Sequence, residues 1–396
     1  MTHDFENMLH LFGANATGNT VHIDEQLNIE QIRKYSLEQG IWPMVYPELA
    51  KLADVSKYQL ECFSMITKGI AQKEYTLGVI RKLEEEGIKC CLLKGATISH
   101  LYADPECRIS GDTDILIDPK DEKHLVRLLK VMGYDVEPRG RTDHHLQAYH
   151  KRGGLLEAHV MLYSHPTTKI LFNGLKMYNE PWTKLEIDGY KYNVLGLNDG
   201  LMYLTAHYIK HLVNSGGGVR QMMDLLLYIE KYKDSLDLNA YDELLKNLKY
   251  DKLIDTVKTI GAKYFGFNYE IKNEGLAERI LTDTEMGGIF GFSTNTRKNF
   301  YANYCKKRAS MSKCGFKLFM MSKDDRGLAG RVFPSKNILV NVMGYKYAKH
   351  TILMPIAWLN RLFDAVFKRR KASASAPISK EFSERMKLMQ DLEMVE

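Results

Sequence analysis

At Gly87 the hydrophobic pattern of this chain changes period, and near Asn198 it changes back. Residues 24–40 carry Leu27, Ile29, Ile32 and Leu37 at broadly helical spacing, and 48–87 reads as a long helical stretch with a break at Ala53-Asp54. Beyond Gly87 the apolar runs become short. Residues 88–93 read as a buried strand, 112–118 as a second, and 134–137 as a third. Residues 145–150 and 155–160 flank Lys151-Arg152-Gly153-Gly154, the signal of a hairpin. Residues 96–103 suit a short helix, and Pro119 opens another that runs to Met132 with Gly133 as its cap. A small hairpin turning at Asp188-Gly189 follows Pro181; helices are then predicted over 201–213, 219–232, 240–248 and 253–265. The pattern predicts an α+β protein, with a small mixed β-sheet core flanked by N- and C-terminal helical regions. The expected divisions are an N-terminal helical region (1–86), the sheet core (87–197), a helical domain (198–295), a basic region (296–371), and a linker with a terminal helix (372–396).

Composition excludes several classes. Hydrophobic residues at 45% and charged residues at 26% are ordinary globular usage, which argues against a disordered or fibrous chain. No uncharged apolar run approaches the roughly 18 residues of a spanning helix. The N-terminus lacks the basic and apolar segments of a signal peptide. Six cysteines without a CxxC spacing read as free thiols in a reducing cytoplasm, so a cytoplasmic location is expected. Charge is segregated: residues 297–371 hold 18 Lys and Arg against 3 Asp and Glu, a balance of +15, so the rest of a chain of net charge +6 carries −9. That basic third suits an anionic partner, or a solvated face. We expect it to fold over the sheet, with Lys306, Lys307 and Arg308 on the rim of a cleft for that anionic partner.

The chemistry concentrates in Leu93-Lys94-Gly95 and in Arg108 through Ile117. Asp112 and Asp114 lie two apart on a strand, so both side chains share one face. Two carboxylates so close call for a cation or a basic partner. Oxygen ligands suit Mg²⁺ together with substrate phosphates. Gly95 follows a buried strand and opens a helix, where free N–H groups suit phosphate. Glu157 sits in the otherwise apolar strand Leu155-Leu156-Glu157-Ala158-His159-Val160, on one face with Leu155 and His159.

Strand, glycine-opened helix, DxD strand and a later acidic strand together resemble the DNA polymerase β-like nucleotidyltransferase superfamily. The stretches around Lys94-Gly95, Arg108–Ile117, Gly133-Tyr134, Glu157, His207–His211, Arg220–Asp224 and 353–361 resemble more closely the uncharacterised bacterial nucleotidyltransferase family NTP_transf_5. The resemblance implies a Mg²⁺- (or Mn²⁺-) dependent transfer of a nucleoside monophosphate from an NTP, ATP foremost, to an acceptor hydroxyl or phosphate. Asp112 and Asp114 match the metal-binding pair and Glu157 the third carboxylate. Lys94-Gly95 stands where the superfamily usually has Gly-Ser or Gly-Gly, so Lys94 would contribute a cation to the triphosphate in place of a serine.

Arg108, four residues before Asp112, is expected either to hold a phosphate or to pair with an acid. His207 and His211 share a helix face at i and i+4. Without an HExxH they read as a substrate-facing patch with Lys210, Arg220 and Asp224, or as helix-to-helix hydrogen bonding; Arg220 and Asp224 also suit an intrahelical pair. His144, His145 and His150 flank a Lys-Arg turn and read as exposed hairpin histidines. Two other function classes stay open: a binding module for nucleotide or a partner on the same fold, and a membrane-peripheral enzyme of surface-polymer or peptide-product biosynthesis. The latter would use amphipathic 352–367 and Lys368-Arg369-Arg370-Lys371. The acceptor class, whether small molecule, peptide, protein or RNA, is not in the sequence.

Overall fold

A computed structural model describes residues 1–20, 23, 27–137, 139, 144–163, 171–172, 180–214, 216–288, 300–301, 303–305, 307–308, 353–367 and 380–396 (361–367 by backbone alone). Helices His3–Thr17, Ile29–Glu38, Trp42–Leu52 and Gln59–Glu85 lead into the sheet. Its strands are β1 (Cys91–Leu92), β2 (Asp112–Leu116), β3 (Asp135–Glu137), β4 (His145–His150), β5 (Gly154–His159), β6 (Thr183–Ile187) and β7 (Tyr190–Val194). They form one mixed seven-stranded sheet in the order β3-β4-β5-β2-β1-β7-β6, as the α+β reading predicted. The β2–β5 and β1–β7 pairs are parallel and the other neighbours antiparallel. Helices Leu197–Asn214, Val219–Tyr232, Leu238–Leu248, Asp251–Tyr264 and Glu274–Gly287 follow.

Strand alternation divides the sheet into two unlike faces. Ile115 of β2, Leu146 and Ala148 of β4, and Leu156 and Ala158 of β5 pack with Leu77, Ile80 and Leu83 of the long helix and with Leu125 and Leu129 of Glu122–Val131. Residues one step along those strands turn the other way and carry the charges. Apolar burial at about 25 cal/mol per Å² anchors one face. A one-residue slip would bury the acids and expose the core, so this packing fixes the register of the functional side chains.

A second, larger core joins helices from both ends of the chain. Phe5, Phe12, Trp42 and Leu49 meet Leu201, Leu212, Met222, Leu226, Ile260 and Leu281. The C-terminal helix Lys380–Asp391 belongs to the same core through Met386, Leu388 and Met389, followed by Leu392, Met394 and Val395. Residues expected in the N-terminal region, the helical domain and the terminal helix thus share one apolar interior. Arg308, placed on a cleft rim by the sequence reading, is instead buried. It lies over the Tyr250 ring and donates to the carbonyls of Met394 and Leu248, because a guanidinium satisfies exposed carbonyl ends while its planar face packs. Lys306 and most of the basic stretch lie outside the described residues.

Candidate active site

The register of β5 on β2 puts Asp114 opposite Glu157 and Leu116 opposite His159. The register of β4 on β5 puts Gln147 opposite Glu157 and His145 opposite His159. The polar sheet face therefore gathers Asp112, Asp114, Glu157, His159, Gln147 and His145. Lys94 reaches it from the segment after β1. Gly95 next to it has φ +70° and caps the four-residue helix Ala96–Ser99, a left-handed conformation that lets the chain turn off the strand.

Asp114 is 1% exposed. Its Oδ1 accepts from His159 Nε2 at 2.8 Å. The Lys94 ammonium lies 3.1 Å from Asp114 Oδ2 and 3.7 Å from Asp112 Oδ2. That contact is electrostatic, for no donor is aligned on Oδ2, which is a buried oxygen without a hydrogen bond. Burial by itself would raise the Asp114 carboxyl; Lys94 and the His159 hydrogen bond outweigh it and hold the carboxyl down at about 2. In the same way burial works against the Lys94 charge, and Asp114 and Asp112 overcome it, leaving Lys94 raised. Ser110 Oγ donates to Asp112 Oδ1 at 3.2 Å. Gln147 Nε2 donates to Glu157 Oε1 at 2.7 Å. Asp114, Glu157 and His159 each offer an atom within 4.8 Å of the others, close enough to share a metal ion; Asp112 stands toward the open side of the site, with about a third of its side chain exposed.

The helix Leu197–Asn214 roofs this face. Lys94 Nζ donates to His207 Nε2 at 3.0 Å, and His207 and His211 meet at 3.2 Å. Burial, then the nearby Lys94 charge, pushes His211 down to about 3 and His207 in the same direction, so both imidazoles are neutral. Lys210 is lowered for the same two reasons. The histidine pair thus links this helix to the site lysine.

Arg108 does not stand free for a phosphate. Its Nε and Nη2 form a fork onto Asp224 at 2.9 and 2.6 Å, and Nη1 donates to the Gly95 carbonyl at 3.3 Å. Tyr102 donates to the same carboxylate at 2.7 Å. Asp224 is therefore not the intrahelical partner of Arg220, whose Nη1 donates instead to the Ile109 carbonyl at 2.8 Å. Burial, then repulsion from Arg108, lowers Arg220. Lys68, Lys94, His207, Arg220, Gly95 and Asp112 border a cavity of about 590 Å³.

The sequence reading missed Gln147, Ser110 and His145 as partners of the acids. It also placed His144 and His145 on an exposed hairpin. Both are half-buried, and their rings pack at 5.3 and 5.1 Å from His159, because the β4–β5 register turns His145 to the polar face. His150 is the one that supports the turn: it stacks on Tyr75 with centroids 4.6 Å apart and accepts from the Arg152 and Gly153 amides.

Residues 25–266, more than half of the chain, match a family described as uncharacterised nucleotidyltransferase. No curated protein matches the chain. Among solved structures, an antigenic nucleotidyltransferase-like protein from Paracoccidioides brasiliensis aligns at 19% identity over 50% of this chain and 94% of its own, with a TM-score of 0.30.

Proposed function

Because the chain belongs to the uncharacterised nucleotidyltransferase family, we propose that its site moves a nucleoside monophosphate from an NTP to an acceptor hydroxyl or phosphate and releases pyrophosphate. One observation carries the reading: two carboxylates converge on a single ammonium, and the more buried one keeps an oxygen without a hydrogen bond. A hard divalent cation fits that donor set, and Asp112 and Asp114, with Glu157 beside them, would hold Mg²⁺. When bound, the ion would neutralise charge on the α-phosphate and the leaving pyrophosphate.

The chain's own groups have distinct tasks. Lys94 balances the carboxylates in the free protein and turns to the triphosphate when the nucleotide arrives. Arg220, on the cavity wall, takes the phosphate role that Arg108 gives up to Asp224. Gln147 fixes Glu157 through Oε1, so Oε2 is the oxygen left to take the acceptor proton. The acceptor oxygen then attacks the α-phosphorus, the bond to the bridging oxygen breaks, and pyrophosphate departs with that electron pair. The neutral His207 and His211 hold Lys94 without competing for phosphate.

A second reading, binding without turnover, draws on the same lysine: an internal cation already neutralises the acids. Pyrophosphate release measured with each NTP, with and without Mg²⁺, decides between the two. Mg²⁺-dependent release that disappears in Asp112→Asn supports transfer; nucleotide binding with no release from any NTP in the presence of cell extract overturns it.

A further inference from the structure

Beside the oxygen-rich pair lies a nitrogen-rich cluster that nucleotidyl transfer does not use. His144, His145 and His159 each present a ring nitrogen within 4.8 Å of the other two. His144 Nε2 and His145 Nδ1 share a hydrogen bond at 3.2 Å, whose proton an ion would displace. Tetrahedral zinc with Zn–N bonds of 2.0–2.1 Å separates its ligand nitrogens by about 3.3 Å. The pair already has that spacing, and the third ring is near enough to close on the same point.

His159 adds an independent observation. His159 Nε2 lies 2.8 Å from Asp114 Oδ1, a carboxylate oxygen that accepts from the ring N–H. The other ring nitrogen, Nδ1, is buried with no hydrogen-bond partner. A buried ring nitrogen left without a partner is costly, and a metal ion is a partner that would remove the cost. An imidazole ligand whose other nitrogen donates to a carboxylate is the arrangement that fixes ring and tautomer at protein metal sites. The remaining groups also suit a cation. His144 and His145 are half-buried, with their rings packed at 5.3 and 5.1 Å from His159. The Lys210 charge opposes a second cation, while Glu157 Oε1, 3.7 Å from His145 Nε2, favours one.

We propose that His144, His145 and His159 form a second metal site, selective for a borderline transition ion such as Zn²⁺ over Mg²⁺. Imidazole donors suit zinc and carboxylate oxygens suit magnesium, so the two sites sort the two metals by ligand type. The site would clip the start of β4 to the end of β5 and hold the imidazole that donates to Asp114. This proposal does not depend on nucleotidyl transfer, and its test reads metal binding alone.

The test uses the full chain, stripped with a chelator and titrated with Co²⁺ and then Zn²⁺ in excess Mg²⁺. Wild type should take up one equivalent of Co²⁺ with the strong visible absorption of a tetrahedral ion, and Zn²⁺ should bleach it. His144→Ala/His145→Ala should weaken Zn²⁺ binding at least tenfold, and the milder His144→Gln provides a second variant should the double one misfold. Asp112→Asn should keep the signal. Absence of the Co²⁺ spectrum in wild type, or its survival in a folded histidine variant, overturns the proposal; so does its loss in Asp112→Asn, which would place the ion on the carboxylates.

Discussion

Two buried charge clusters lie on either side of Gly95, and they are built to opposite ends. In one, Arg108 and Asp224 meet as fork and carboxylate, Tyr102 donates to the same acid, and the Gly95 carbonyl takes a remaining guanidinium donor. In the other, one ammonium is divided between two carboxylates at 3.1 and 3.7 Å, and Asp114 Oδ2 has no hydrogen bond. A satisfied buried pair is costly to break and gains nothing from a further ion. A lysine shared between two acids, with itself and Asp112 on a cavity wall, can be exchanged for another cation. The first is a clasp between the segment before β2 and the helix Val219–Tyr232; the second is the proposed site. Charge and burial alone do not distinguish them; the completeness of the hydrogen bonding does.

The largest effect should come from the open cluster. Asp112→Asn should lower nucleotidyl transfer by about 10³-fold or more, equivalent to about 4 kcal/mol in the barrier, because it removes a metal carboxylate. Its melting temperature in Mg²⁺-free buffer should hold or rise, since acid–acid repulsion falls. A matching loss of activity and stability would make Asp112 structural, and the contrast would fail.

The clasp should behave in the reverse way. Asp224→Asn leaves a buried guanidinium without its counter-charge and should destabilise the fold by about 3 kcal/mol or more, read as a shift of the urea midpoint. Stability within 1 kcal/mol of wild type, by the same rule, would show that Arg108 has other partners ready.

Acid should weaken the open cluster selectively. The folded Asp114 carboxyl titrates at about 2, below its ordinary value of 3.8. Its stabilisation is therefore complete above pH 4 and lost as pH falls through 2. At 1.36 kcal/mol per unit the loss amounts to about 2 kcal/mol. Stability measured over pH 2–5 in wild type and Asp114→Asn checks it: the variant should lack that part of the slope.

Lys94→Met provides the smallest and sharpest test. Without the ammonium, the free protein should lose stability, and Mg²⁺ should bind about tenfold more tightly, a gain of about 1.4 kcal/mol, since no lysine has to leave. Unchanged Mg²⁺ affinity in calorimetry would separate Lys94 from the metal position.

What the sequence made legible follows the range of the interactions. The period-2 spacing of Asp112 and Asp114, and of Leu155, Glu157 and His159, placed each set on one face, and the β2–β5 register brought the two sets together. Turn chemistry placed both hairpins. The partners of the acids were not legible. Gln147 and His145 reach Glu157 and His159 only through the register of β4, which could have been counted outward from the Gly153-Gly154 turn. Arg108 and Asp224 are 116 positions apart, while Arg220 stands one helical turn from Asp224, so the local pair suggested itself first. The terminal helix was legible but its docking was not, because Met386 and Met389 are spaced among Lys and Glu; the buried Leu392, Met394 and Val395 that follow join them in the core.

The central claim, that Asp112, Asp114 and Glu157 transfer a nucleoside monophosphate, is tested most directly by the fate of label on the two ends of an NTP. The purified chain, Mg²⁺ and cell extract would be incubated in parallel with α-labelled and γ-labelled ATP, GTP, CTP and UTP. α-Label should pass to an acceptor while γ-label leaves as pyrophosphate in equal amount, and Asp112→Asn should do neither. Transfer of γ-label to the acceptor, or α-label uptake equal in wild type and Asp112→Asn, would contradict it.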